Sequence, residues 1–354
     1  MSNIFEFRDT LVGDYSRFST SFANIAAPDI DAYVKAEAAA GRFWPEPILQ
    51  LNANYKQDKT VDELADGGVI CRQTARFFSI KESGKQPIPF RLFKHQVYAI
   101  QQAKEGKSYV VTTGTGSGKS LTYFIPIVDA ILRAREAGDV SRRTRAIIVY
   151  PMNALANSQV EEVNKFLKNL EGHAVTVERY TGQEDSAKRA FIAANPPDIL
   201  LTNFQMLEYL LTRFGEEDSR VLENCTGLGY LVLDELHTYR GRQGADVALL
   251  VRRVRSRLKA ASLQCIGTSA TMSSSDDEQE RSAVVSRVAT RLFGTSIEPS
   301  NVIVESLDRY TEPRISLGEV LPKLAACLRE PVPEPSYESY KTHPVAVWVE
   351  LSMG

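Results

Sequence analysis

Between Ser108 and Ser269, short apolar runs ("SYVVT", "RAIIVY", "AVTVERY", "DILLT", "YLVLD" and "LQCIGTS") alternate with longer amphipathic stretches. Runs of this length read as buried strands, and the stretches between them are long enough for crossover helices. The pattern predicts an α/β domain on a doubly wound, mostly parallel sheet with helices on both faces. Ligands of such sheets bind beyond the carboxyl ends of the strands, and the polar loops of this chain follow those ends.

The flanking regions read differently. Residues 1–88 are predicted as a mainly helical extension: "DIDAYVKAEAAA" follows Pro28 and precedes Gly41, the order of a helix with proline in its first turn and glycine past its end. Residues 89–295 form the α/β domain, with a helix near its end where Ser275 and Glu278 have capping-box spacing ahead of Val284, Val285, Val288 and Leu292. Residues 296–354 read as a tail or the start of a further region, with a strand at "NVIVES", a helix around Leu317–Leu328 and an irregular proline-rich stretch, "EPVPEPSYESY".

Composition narrows the functions open to the chain. A net charge of -2 over 354 residues is not that of a basic nucleic-acid coat, so any nucleic-acid contact must be local. Cys71, Cys225, Cys265 and Cys327 lie far apart with no CxxC pair, which indicates reduced thiols and not a zinc knuckle or a disulfide framework. No basic-then-apolar leader and no apolar run of about 18 residues occurs, so no membrane partner and a cytoplasmic location are expected.

"VVTTGTGSGKSLTYF", Val110 to Phe124, carries the chemistry. A strand leads into Gly114, Gly116 and Gly118, then Lys119 and Ser120, then an apolar helix-like run. Thr115, Gly116, Ser117 and Gly118 offer a turn whose N–H groups can cradle phosphate, Lys119 a point charge, and Ser120 a hydroxyl for Mg2+. Thr113 stands where the general phosphate-loop pattern has its first glycine, so a structural glycine turn is the competing reading. Asp234 and Glu235 in "YLVLDELH" end a later strand: one carboxylate is suited to hold magnesium, the next to orient or deprotonate water. A helix-capping role is the alternative for this pair.

In order and spacing these segments resemble the first RecA-like domain of superfamily 2 DExH-box helicases. "TTGTGSGKS" resembles motif I, "DELH" motif II, "IGTSAT" with Ser269, Ala270 and Thr271 motif III, and "LFKHQ" with Gln96 the adenine-reading glutamine motif. "YPMNALANSQ", "YTGQ" and "PDILLTNFQ" stand where the nucleic-acid motifs Ia, Ib and Ic would be. They offer Pro151, Asn153, Thr181, Gly182, Thr202 and Asn203 as backbone contacts, or as ordinary helix caps. "DELHTYRGRQG" and "YPMNAL" resemble the bacterial mitomycin-repair group, the RecQ-four-like enzymes, and the large anti-phage helicases of the DISARM and Druantia type.

The resemblance implies an ATP-dependent DNA helicase or translocase. ATP and Mg2+ would be its cofactors, with nucleic acid (DNA over RNA), a second RecA-like domain and defence or repair proteins as its partners. Gln96 would read adenine, Lys119 would contact the β- and γ-phosphates, and Ser120 and Asp234 would hold the metal. Glu235 would activate water, and His237 with Ser269, Ala270 and Thr271 would couple nucleotide to strand. No Q-x-x-G-R-x-x-R motif follows, so hydrolysis by this chain alone is expected to be slow, an arginine finger being worth about 10³–10⁵ in rate. The competing functional reading is a nucleotide-gated binding module without turnover, for which Glu235 would be dispensable.

Overall fold

The computed structural model describes residues 4–22, 25–40, 54–80, 88–114, 116–167, 175–270, 278–329 and 336–353. The chain divides into two compact units, Ala53–Arg309 and Met1–Asn52 with Tyr310–Gly354. Residues 54–80, read from the sequence as part of the helical extension, lie in the larger unit.

The larger unit is built on a parallel sheet whose strands are, in chain order, β1 (Tyr109–Thr112), β2 (Ala146–Tyr150), β3 (Val177–Arg179), β4 (Ile199–Asn203), β5 (Tyr230–Leu233), β6 (Gln264–Ser269) and β7 (Val302–Val304). Their spatial order is β7-β1-β6-β5-β2-β4-β3. Each strand corresponds to an apolar run of the sequence, including "NVIVES" at the edge. Although the runs are apolar throughout, period two still sorts their side chains onto opposite faces. Tyr109, Val111, Ile148, Tyr150, Leu201, Val232 and Ile266 join one core with helices α1 (Lys94–Lys104), α2 (Leu121–Glu136) and α3 (Asn153–Leu167). Val110, Ile147, Val149, Leu200, Leu231, Leu233 and Cys265 join the other. That second face is covered by α4 (Ser186–Ala194), α5 (Phe204–Thr212), α6 (Glu216–Glu223), α7 (Gly241–Arg257) and α8 (Glu278–Phe293). Each fully buried aliphatic side chain in these layers contributes roughly 1.5–3 kcal/mol.

Two further features brace the larger unit. Gln57–Thr60 pairs antiparallel with Arg91–Phe93, and the helix Arg72–Phe77 packs on α2. At the amino end of β4, Asp198 is almost fully buried between Arg135 at 2.7 Å, Arg145 at 3.1 Å and the Thr176 hydroxyl at 2.9 Å. This cluster ties α2 to the starts of β2, β3 and β4.

The smaller unit contains the helices Ile4–Ser21, Pro28–Ala39, Leu317–Cys327, Tyr337–Thr342 and Pro344–Met353. The second and third match the sequence reading. Tyr337–Thr342 falls in the stretch expected to be irregular; Ser336 caps it by accepting from Ser339 N, a local signal the neighbouring prolines obscured. Thr311 N donates to Glu350 at 2.9 Å, and helix Leu317–Cys327 packs on Pro344–Met353. Among the described residues no helix is long and apolar enough to cross a membrane.

Candidate functional site

β1 is separated in space from its sequence successor β2 by β6 and β5, which the chain inserts only later. The loops after β1, β6 and β5 therefore emerge side by side from the carboxyl edge of the sheet. These loops carry the glycines and Lys119, the Ser269–Ala270 segment, and Asp234–Glu235. Thr113 N donates to Ser269 O at 3.2 Å and Asp234 N to Val149 O at 3.0 Å, which fixes the first and third of these loops to the strand tips beside them.

In the glycine loop, Gly116 and Gly118 have φ of 80° and 69°, conformations that favour residues without a Cβ. A Cβ at Gly118 would also lie 2.5 Å from Gln96 Nε2. Ser117 turns its side chain inward, with its hydroxyl 2.6 Å from that of Thr113. Lys119 Nζ donates to Thr113 O at 3.0 Å and Gly114 O at 3.2 Å. Ser120 stands at the start of α2 without using its side chain as a cap. Thr115 lies outside the described residues.

Gln96 and His95, at the start of α1, brace this loop from below. Gln96 Oε1 accepts from Phe93 N at 2.9 Å, while Nε2 donates to Gly118 O at 3.0 Å and Ser117 O at 3.3 Å. His95 Nε2 is 2.9 Å from Ser117 O, and burial pulls its imidazole below the ordinary range. Gln96 is thus engaged on both ends of its amide by its own helix start and by the loop.

The Asp234 carboxylate receives the Thr268 hydroxyl, and Thr268 also accepts from Glu235 N at 3.3 Å. Burial lifts the Asp234 carboxyl to about 6, Glu235 adding to the rise while Thr268 and Lys119 oppose it. Glu235 itself is left-handed, with φ 53° and ψ 56°, a strained conformation for a side chain of this size. His237 Nδ1 lies 3.1 Å from Ser269 Oγ and 3.2 Å from Glu235 Oε2. Two buried tyrosines, Tyr123 and Tyr150, meet hydroxyl to hydroxyl at 3.2 Å under this cluster. Thr271 lies outside the described residues.

Asp234 and Ser120 offer oxygen donors, and a carboxylate that burial discourages from ionising is one that a divalent cation stabilises. Mg2+ takes one or two protein oxygens and completes its shell with phosphate and water, and Ser120 and Asp234 would supply oxygens of that kind. The residues present fit the ion.

The expected nucleic-acid residues separate into two groups. Asn203 caps α5 by accepting from Met206 N at 2.7 Å, and its Nδ2 donates to Asn153 Oδ1 at 2.6 Å and to Thr181 O at 3.1 Å. With Pro151, Phe204, Gln205, Tyr239 and Gln243, these two asparagines line a cleft of about 330 Å³. The second group is turned inward. Thr202 is fully buried with its hydroxyl on Tyr180 O at 2.7 Å, and the amides of Thr181 and Gly182 both donate to Glu184, at 2.7 and 3.0 Å. The threonines shape the cleft; the asparagines face it.

The sequence reading missed Gln205, Tyr239 and Gln243 as cleft residues. It also missed an apolar cavity of about 330 Å³ beside Gly118 and Ser120, lined in part by Phe77, Phe78, Phe90, Phe124 and Phe166. The "RFFSI" run upstream of Gln96 was the available signal for that cavity.

Fold and site together define a RecA-like phosphate-loop domain, and the chain belongs to the DEAD/DEAH box helicase family, whose model matches residues 93–279. Among its relatives is an ATP-dependent helicase of Methanocaldococcus jannaschii, 31% identical over 214 residues, which cover 57% of this chain and 30% of that protein. The Druantia protein DruE of Escherichia coli is 23% identical over 298 residues, covering 53% of this chain and 16% of DruE. The crystal structure of the DUF1998 helicase MrfA bound to DNA is similar with a TM-score of 0.52 and 25% identity, over 73% of this chain and 31% of MrfA. The chain thus spans less than a third of the length of each of these relatives.

Proposed function

We propose that this chain supplies the ATP-binding RecA-like domain of a DNA helicase or translocase, acting with a second RecA-like domain in a longer protein. The observation that carries the reading is the convergence of Lys119, from the loop after β1, with Asp234, Glu235 and His237, from the loop after β5, at one edge of the sheet a few residues from a polar cleft. In this reading Lys119 leaves the loop carbonyls for the β- and γ-phosphates, and the N–H groups of Gly116 to Ser120 cradle them. Ser120 and Asp234 hold Mg2+, which when bound neutralises charge on the transferred phosphoryl group. Glu235 orients the attacking water, and Gln96 sets the loop against which the base lies.

His237 and Ser269 link the water-activating residue to the strand-tip loop that Thr113 also touches, and Tyr239, two residues past His237, lines the cleft. Asn153 and Asn203 offer amide groups to the phosphate backbone there, which positions a strand without reading its sequence. DNA is favoured because MrfA, at 25% identity, is a DNA-bound helicase. The likeness to DruE supports an anti-phage defence setting, with DNA repair, suggested by the mitomycin-repair resemblance, as the other context.

The test is ATP turnover by this chain and by a longer form of the protein, with and without single-stranded DNA, duplex DNA or RNA. Lys119→Ala is expected to lose nucleotide binding, and Glu235→Gln to bind ATP yet turn over roughly 10²-fold or more slowly, the range of a general-base contribution. Undiminished function of Glu235→Gln in the longer protein would replace the motor by a nucleotide-gated binding module.

A further inference from the structure

Glu305 follows β7 by one residue, next to the glycine loop because Val304 is in register with Thr112. Its Oε2 accepts the Gly114 N–H at 3.0 Å. That N–H belongs to the same peptide group as Thr113 O, which accepts Lys119 Nζ at 3.0 Å. One peptide is therefore held by a carboxylate on its donor and an ammonium on its acceptor. Each charge polarises the peptide so as to strengthen the other's hydrogen bond, since charge-assisted bonds in series reinforce one another. Glu305 thereby makes Thr113 O a better anchor for the lysine that the phosphates require.

The surroundings hold this carboxylate in place. Ser306 O accepts from Lys56 N at 2.7 Å, Asp308 N donates to Asn54 O at 2.8 Å, and Lys56 O accepts from Lys94 N at 2.9 Å. Tyr55, threaded between, packs its ring 5.4 Å from Phe93 and 5.8 Å from His95. A Cβ at Gly114 would lie 2.8 Å from the Tyr55 hydroxyl, so the loop backbone runs close against this tyrosine. Burial first, and then the Glu305 charge, raise the Tyr55 phenol above its ordinary value. Three chain segments distant in sequence thus converge on the Thr113–Gly114 peptide.

We propose that Glu305 is a positioning residue that holds Lys119 on the loop through the Thr113–Gly114 peptide and so sets how strongly the site favours a nucleoside triphosphate over a diphosphate. The proposal rests on the phosphate-loop reading above. Either nucleotide draws Lys119 off Thr113 O, but the γ-phosphate brings further negative charge toward Glu305, so the carboxylate opposes the triphosphate more than the diphosphate.

The experiment is titration of the chain with fluorescent ATP and ADP analogues in Mg2+, comparing wild type, Glu305→Gln, Glu305→Ala and Lys119→Ala. Glu305→Gln keeps an acceptor but removes the charge, and is expected to tighten ATP-analogue binding about threefold to tenfold and ADP-analogue binding less. Glu305→Ala should shift the ATP-to-ADP affinity ratio at least as far. The ratio is measured on folded protein only, so partial unfolding of a variant does not move it. An unchanged or lowered ratio in both variants overturns the role of Glu305. If wild type and Lys119→Ala bind alike, the phosphate-loop reading itself fails.

Discussion

Replacing Asp234 with asparagine should stabilise the larger unit at neutral pH while removing its metal ligand. Burial lifts the Asp234 carboxyl to about 6 from 3.8. The folded state therefore binds more protons than the unfolded state between these values, and stability falls as pH rises through that window. The destabilisation is absent well below pH 3.8 and complete above about 6. Two-state linkage with these values gives a cost of about 3 kcal/mol at pH 7.5 and about 1 kcal/mol at pH 4.5. Asparagine carries no charge and still offers an oxygen to Thr268, so Asp234→Asn should recover most of this. For a unit of this size that is roughly 6–12 °C in melting temperature at pH 7.5 and 2–4 °C at pH 4.5.

The assay is thermal unfolding of both proteins at the two pH values in EDTA, repeated at pH 7.5 with Mg2+ and an ATP analogue. Ligand should raise the wild-type melting temperature more than that of the variant, which keeps the phosphate loop but loses the metal-binding charge. A variant that melts at or below wild type at pH 7.5, or a gap of equal size at both pH values, would refute the reasoning.

Gly118→Ala should weaken nucleotide binding and cost about 1–2 kcal/mol in stability, because alanine there meets a φ of 69° and displaces the Gln96 amide; a melt within 1 °C of wild type by calorimetry would contradict this. Asp198→Ala, far from the chemistry, should cost on the order of 2–3 kcal/mol, below the range for an unpaired buried charge because Arg145 keeps Asp139 at 2.9 Å, as read by urea unfolding. Its loss should be undiminished in high salt, since a buried pair is poorly screened.

The strands were legible because parallel strands covered on both faces must be apolar on both faces, and "RAIIVY" or "DILLT" leaves little else for the chain to do. The phosphate loop was legible because its chemistry is local: the glycines, Lys119 and Ser120 lie within one turn of chain. Contacts made across the fold were not. Nothing in "LFKHQ" says that the Gln96 amide is taken up by Ser117 O and Gly118 O, and nothing in "YTGQ" says that Glu184 will claim the Thr181 and Gly182 amides. The helix Ile4–Ser21 falls within the extension read as mainly helical. Glu305 and Tyr55 reach Gly114 from opposite directions along the chain, and only pairing of β7 with β1 brings the first of them near.

That pairing also governs when the domain can exist during synthesis. β1 touches only β6 and β7 within the sheet, and those strands begin at Gln264 and Val302, after every other strand has been made. At about 5–20 residues per second, β1 and its apolar flanks wait on the order of ten to forty seconds for their partners after leaving the ribosome. Throughout that interval "SYVVTT" is an unpaired strand, the kind of segment that chaperones hold and aggregates recruit. The strand that delivers the phosphate loop is thus among the last to be secured. Slowing translation upstream of Val302 should lower the soluble yield of this chain more than the same delay placed after it.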